Sequence, residues 1–309
     1  MDIRSLRHFV AVADARSFTG AAVELRLSQP ALSQSIQRLE KEIGTLLVVR
    51  DRRPGAGAFE LTPAGSSLYS DAVAIIAATE RARQRASRAG ATSSAVRLDL
   101  GFASTTPGRL TGEALRLADA MPGLEVVPVH LTWGDEHQRL LYGDVDLAFM
   151  AYPAGTEFPA YDVLPMSSHA RGALFPSGHP LAKRAELILD DLRDEPILDP
   201  GFARDPNMHR DFWLASPRPG HPMPPVIGPP ARAVEEMCAF VAAGKGMAIV
   251  SSVMPEQYAT PGVTFVPIRD LGPVEVGLVR LRDDTRRHVV EYAERMREVA
   301  ALGPQRNLG

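Results

Sequence analysis

Six polar side chains near the start of this 309-residue chain, Gln29, Ser33, Gln34, Gln37, Arg38 and Lys41, recur at a spacing that puts them on one side of a helix. A glutamine amide holds a donor beside an acceptor and so matches base edges, while arginine, lysine and serine bind phosphate oxygens. The chemistry on offer is hydrogen bonding to nucleic acid. Any amphipathic helix has a polar side, so the order of the surrounding elements must decide between a reading face and a solvated one. Bond-making chemistry finds less material. The eight histidines include no HExxH or close pair, and one cysteine, Cys238, gives a zinc site little to draw on. Cys238 lies in "VEEMCAFVAAG", a stretch that reads as core. "GKG" at 244–246 follows a helical stretch and precedes an apolar run, the reverse of a phosphate loop. "GFASTTPG" lacks the spacing of a nucleophile elbow, and His179 in "SGHPLA" reads as a turn residue. No catalytic residue, metal or cofactor is expected.

The elements that position the polar face can be read from apolar spacing. Leu32, Ile36, Leu39 and Ile43 recur at steps of four, three and four, which predicts that the opposite side of the same helix packs inward. Ser28 suits the cap before it, and Pro30 suits its first turn. Upstream, "FTGAAVELR" predicts a compact helix capped by Thr19, with Ala22, Val23 and Leu25 apolar. Ile3, Leu6, Phe9, Val10 and Ala13 predict another over residues 3–15. Downstream, "VVRDRRPGAGAFELT" sets Arg50, Arg52 and Arg53 before a Gly-rich tip and an apolar return. That is the pattern of a β-hairpin wing, whose arginines reach phosphates or a minor groove.

"SFTGAAVELRLSQPALSQSIQRLEKEIG" followed by "LTPAG" resembles the winged helix-turn-helix of the LysR-type transcriptional regulators, strongly over about residues 1–90 and more weakly to about residue 300. The resemblance implies DNA contacts at Ser28, Gln29, Pro30, Ser33, Gln34 and Arg38, with Arg50, Arg52 and Arg53 in the wing. Two positions depart from the family. Val48 stands where phenylalanine is usual, and "PGAGAFE" makes the wing a few residues longer.

Charge is unevenly spread. Residues 1–90 hold 13 Lys+Arg against 9 Asp+Glu, and the remainder holds 21 against 28. A modestly positive arm on an acidic body suits a DNA reader joined to a domain with another task. The start lacks a signal peptide's pattern, and no run of about 18 apolar residues occurs, so a cytoplasmic protein away from membranes is expected. A lone cysteine fits a reducing compartment. From Thr62 and Pro63 a helix is predicted to run to about Arg88, with Leu68, Ala72, Ile75, Thr79 and Ala82 at alternating steps of four and three. Such a stripe pairs two helices or lies on its own protein's body. The family resemblance favours the pairing and implies a homodimer or homotetramer on two half-sites, with RNA polymerase as a further partner.

From Val96 apolar runs alternate with helical stretches, which predicts a parallel sheet covered by helices. The expected architecture is α/β. It comprises a winged helix-turn-helix over 1–62, a linker and dimerisation helix over 63–89, a hinge over 90–95 and an effector-binding domain over 96–303. That domain is expected to hold one subdomain of about 96–165 and 269–303 and another of about 166–268, resembling a periplasmic solute-binding protein. "STTPG" and "LTWGD" each end a strand and begin a helix, the edge at which open α/β sheets take ligands. Ser104, Thr105, Thr106 and Thr132 are therefore candidate effector contacts, with Trp133 or Phe202 covering an apolar part, and the helix starts suit a small organic anion. These hydroxyls otherwise only cap their helices. The whole reads as a sequence-specific transcriptional regulator controlled by a small molecule. The rival is a solute-binding protein of a transporter, opposed by the N-terminal reader.

Overall fold

In the computed structural model of this chain, Asp2 accepts the Ser5 amide at 2.7 Å and so starts α1 (Ile3–Ala15). The structure describes residues 1–50, 59–89, 95–132, 134–200, 210–215, 225–228, 230–231 and 233–301. Two units form, Met1–Ala91 with Leu141–Gly143, and Thr92–Leu140 with Asp144–Gly309.

In the first unit α2 (Phe18–Glu24) is capped by Ser17, whose hydroxyl accepts from Gly20 N at 3.1 Å. Thr19 is not the cap: Ser17 has the extended backbone a cap needs, and Thr19 sits exposed inside the first turn. Val23 also departs from expectation and is 75% exposed, because Ala21 and Ala22 take the inward face of this one-face helix. Ser28 caps α3 (Gln29–Ile43), and Gly44 ends it at φ 86°. Leu32, Ile36 and Leu39 are buried as their spacing predicts. Ile43 is exposed, since it lies one turn further on, where the helix projects past the core. β1 (Val48–Arg50) and β2 (Phe59–Leu61) pair antiparallel, and α4 (Pro63–Ala89) follows. Leu6, Phe9, Leu32, Ile36, Leu39, Val48, Ala72 and Ile76 share one core.

The second unit opens with β3 (Val96–Phe102), α5 (Gly108–Asp119), β4 (Leu124–His130), α6 (Glu136–Tyr142), β5 (Leu147–Pro153) and β6 (Tyr161–His169). The chain then leaves for β7 (Arg171–Pro176), β8 (Ile197–Leu198), α7 (Arg210–Trp213), β9 (Val226–Ile227), α8 (Val234–Ala242), β10 (Ala248–Ser251), α9 (Val253–Gln257) and β11 (Val263–Pro267). It returns as β12 (Val274–Leu281) and α10 (Arg287–Ala301). One sheet has the order β4-β3-β5-β12-β6 and a second the order β10-β7-β11, with a small β8-β9 pair beside them.

The sheets are not the parallel ones that alternation predicts. β3 pairs parallel with β4 and β5, but β12 runs antiparallel between β5 and β6, and the second sheet is antiparallel throughout. Connectivity explains this. β12 enters beside the point where β6 leaves, Val274 opposite His169, so the returning strand runs against the outgoing one. The same holds for β7 and β11, where Gly172 lies opposite Pro267. The outward passage falls at Ala170, because β6 continues past residue 165 to His169. Alternate residues of β7 and β10 face two cores: Ala173, Phe175 and Ile249 one way, Leu174, Ala248 and Val250 the other.

Candidate nucleic-acid interface and effector cleft

Helix α3 presents its polar side to solvent: Gln29, Pro30, Gln34, Gln37, Arg38 and Lys41 are exposed, and Ser33 is half-buried. Its start is fixed by the Ser28 hydroxyl, which accepts from Ala31 N at 3.4 Å. Its flank is tied to α1 by the 2.7 Å contact of His8 Nδ1 with Ser35 Oγ. Its far end anchors the wing. Glu40 Oε1 accepts from Leu47 N at 2.9 Å and Val48 N at 3.3 Å, so the reading helix holds the strand that leads into the hairpin. Thr62 completes the support: its hydroxyl donates to Leu46 O at 2.7 Å and accepts from Gly65 N at 2.9 Å. Gly65 has no room for a side chain, since a Cβ there would lie 2.0 Å from Leu47 O. Phe59 meets Phe18 edge-on at 6.2 Å and joins β2 to α2. The side chain of Arg50, and Arg52 and Arg53 entirely, lie outside the described residues.

The seam residues of α4 divide between two faces. Leu68 and Ala72 pack into the core of their own unit, whereas Ile75, Thr79 and Ala82 are exposed.

In the second unit Ser104 and Thr105 come together with Trp213, Met237, Ser251 and Met254 around a cavity of about 10 Å³ between the two sheets' subdomains. That is room for about one water. Thr106 does not join them. It is 3% exposed, its hydroxyl accepts from Ala103 N at 3.1 Å, and its carbonyl accepts from Gln257 Nε2 of the opposite subdomain at 3.0 Å. This hydroxyl closes the turn after β3 and does not cap α5, whose cap position is Pro107 with no side-chain cap bond. Thr132 is exposed and does not line the cavity. The start of α6 carries its own carboxylate, Glu136, which is 1% exposed and accepts from Gly134 N at 2.9 Å. An anionic effector therefore gains nothing at that helix end. Trp133 and Phe202 lie outside the described residues.

Sequence reading missed Trp213, which shares the cavity with Ser104 from far along the chain, and Arg171, which holds the neighbouring Phe212. Arg171, 5% exposed, begins β7 and faces Ser251 in register. Burial pushes its guanidinium down to about 10. Only a close look at a cationic residue opening an otherwise apolar strand, "ARGALFP", could have singled it out. A larger groove, about 750 Å³, lies between β6, β12 and α10, and two of its arginines, Arg280 and Arg282, both pair with Asp162. His179 accepts from Leu181 N at 3.3 Å and stacks on Phe175 at 4.8 Å, a turn residue as expected. Among the described residues no three His, Cys, Asp or Glu gather as metal ligands, and no helix is long and apolar enough to cross a membrane.

Two family models account for nearly the whole chain: the bacterial regulatory helix-turn-helix protein, lysR family, over residues 3–66, and the LysR substrate binding domain over 91–301. The chain belongs to the LysR family. As a LysR-type transcriptional regulator it is not an enzyme. The HTH-type transcriptional regulator BudR of Raoultella terrigena is 30% identical over 305 residues, which span 95% of this chain and 99% of BudR. Full-length BenM, a regulator of Acinetobacter baylyi, has a solved structure 25% identical with a TM-score of 0.54, covering 98% of this chain and 97% of BenM. A Corynebacterium glutamicum OxyR variant gives 26% identity and a TM-score of 0.52, covering 97% of this chain and 92% of that one. Relatives matched end to end are regulators, which sets aside the transporter reading. Regulators of this family bind DNA and small-molecule effectors and form oligomers.

Proposed function

We propose that this regulator reads its operator with α3, Gln29 and Gln34 contacting base edges, Ser28, Ser33, Gln37 and Arg38 completing the helix contacts, and Arg50, Arg52 and Arg53 of the wing gripping the backbone. The observation that carries this is the exposed polar face of α3, braced by a cap, a bond to α1 and the Glu40 clasp on the wing strand. The protein works in the cytoplasm as a dimer or a pair of dimers, joined through Ile75, Thr79 and Ala82 of α4, and engages RNA polymerase at the promoters it controls. A small organic anion entering between the two subdomains at Ser104 and Thr105 alters how the oligomer holds its DNA. Footprinting on the promoter region beside its own gene tests the reading. Two protected half-sites about one DNA turn apart, or a multiple of it, are expected. No protection above that of unrelated DNA would overturn it.

A further inference from the structure

Arg171 is a buried cation, 5% exposed. Its Nε donates to Gly272 O at 2.8 Å and its Nη1 to Phe212 O at 2.5 Å, and the Phe212 ring centre lies 3.6 Å from its Cζ. Among the described residues no carboxylate pairs with it. Two carbonyls and a ring face engage an arginine that has five N–H donors, in a place where an unmatched charge is costly. The Phe212 that holds it is followed by Trp213, which crosses the cleft. The indole is 3% exposed and packs into the first sheet's core, while the next residues, Leu214 and Ala215, pack into the second's. Beside Ser104 this buried side chain lines a cavity of only about 10 Å³.

We propose that the effector is a carboxylate with an apolar ring body, the anion pairing with Arg171 and the ring taking the space that the Trp213 indole fills. The reasoning rests on the effector-domain reading above and adds to it the cation and the shape. A carboxylate meets a guanidinium with two parallel hydrogen bonds and neutralises it. Withdrawal of Trp213 carries Phe212 off the same guanidinium, so ring entry and anion pairing happen together. Methionines 237 and 254 line the hole and repack around a body of slightly different outline.

Calorimetry on the full chain carrying Trp213→Ala tests this with indole-3-acetate and its neutral amide, indole-3-acetamide, which share the ring and differ in charge. The acetate is expected to bind at least ten-fold more tightly. Adding Arg171→Met should abolish the preference and leave acetamide binding in place. Equal affinities on the Trp213→Ala chain overturn the proposal, as does a preference that survives Arg171→Met. Should the alanine variant not fold, Trp213→Leu replaces it. Should the methionine variant not fold, Arg171→Lys replaces it, with a reduced preference expected and an undiminished one counting against the proposal. A chain that protects its operator yet binds neither probe refutes this inference alone, whereas loss of operator protection with probe binding intact refutes the DNA reading alone.

Discussion

Gly65 and Gln34 show how differently single residues serve the same surface. A Cβ at Gly65 would press on the Leu47 carbonyl at 2.0 Å, a backbone atom held by the hairpin, so the wing and α4 would have to move apart. Gly65→Ala is expected to cost about 3 kcal/mol, the upper range for overpacking, and to weaken binding to all DNA sequences alike. Urea unfolding checks it, and an unchanged midpoint would contradict the close approach. Gln34 is exposed, so its alanine variant should leave stability untouched. Losing a paired base contact there should cost about 1–3 kcal/mol of operator affinity and relax the preference at one position. Arg38→Ala should instead lower affinity for every sequence and flatten the salt dependence, as a phosphate contact does. Titrations at several salt concentrations separate the two outcomes. If Gln34→Ala leaves both affinity and preference intact, α3 does not read bases through this side chain.

Helix α4 serves two masters along its length. Ala72 and Ile76 are buried in the helix-turn-helix core, and Ile75, 37% exposed, lies beside them on the outer face. The proposed seam and the core thus use neighbouring positions, and charge placed on each should fail differently. Ile75→Asp is expected to separate subunits without unfolding them, because the aspartate burdens only a buried contact between copies. Ala72→Asp is expected to unfold the first unit. Sedimentation of the two variants decides, and an Ile75→Asp protein that keeps its full assembly would remove α4 from the interface. In the second unit the junction before β12's helix is held by charge. Asp146, 4% exposed, accepts from Arg286 at 2.6 Å through one oxygen and from Asp99 N at 2.8 Å through the other. Arg286→Met would strand a buried carboxylate and should cost about 3 kcal/mol in thermal or urea unfolding.

The molecule as a whole should lose stability in acid, and its described carboxylates and histidines give the sign. Burial alone would raise the Asp284 carboxyl, but the Arg286 guanidinium beside it prevails and holds it below the ordinary value. Stability from that pair is present above the unfolded carboxylate range and is lost as pH falls through the folded value. Burial lowers His8, His169 and His288, so these rings add stability above the ordinary histidine value that is lost as pH falls through their lowered ones. Unfolding followed from pH 7 down to about pH 3 should show a falling midpoint, and a flat profile would contradict these environments. What the sequence by itself determined is local. The α3 pattern, its Ser28 cap, the "LTPAG" turn and the α4 span were legible because helix period and capping depend on residues within a few positions of one another. Thr19, Val23 and Ile43 were misread at that same scale, because a seven-residue helix and a final turn hold too few residues to define a face. The sheet directions were decided only by tertiary structure: alternation signals strands, but β12 runs backwards because of where it returns from the second sheet. The cleft was settled the same way. Ser104 stood out in its loop, whereas Trp213 acquires its meaning from sharing a cavity with it across a long stretch of chain, and Arg171 from being buried on Phe212 with no carboxylate beside it among the described residues.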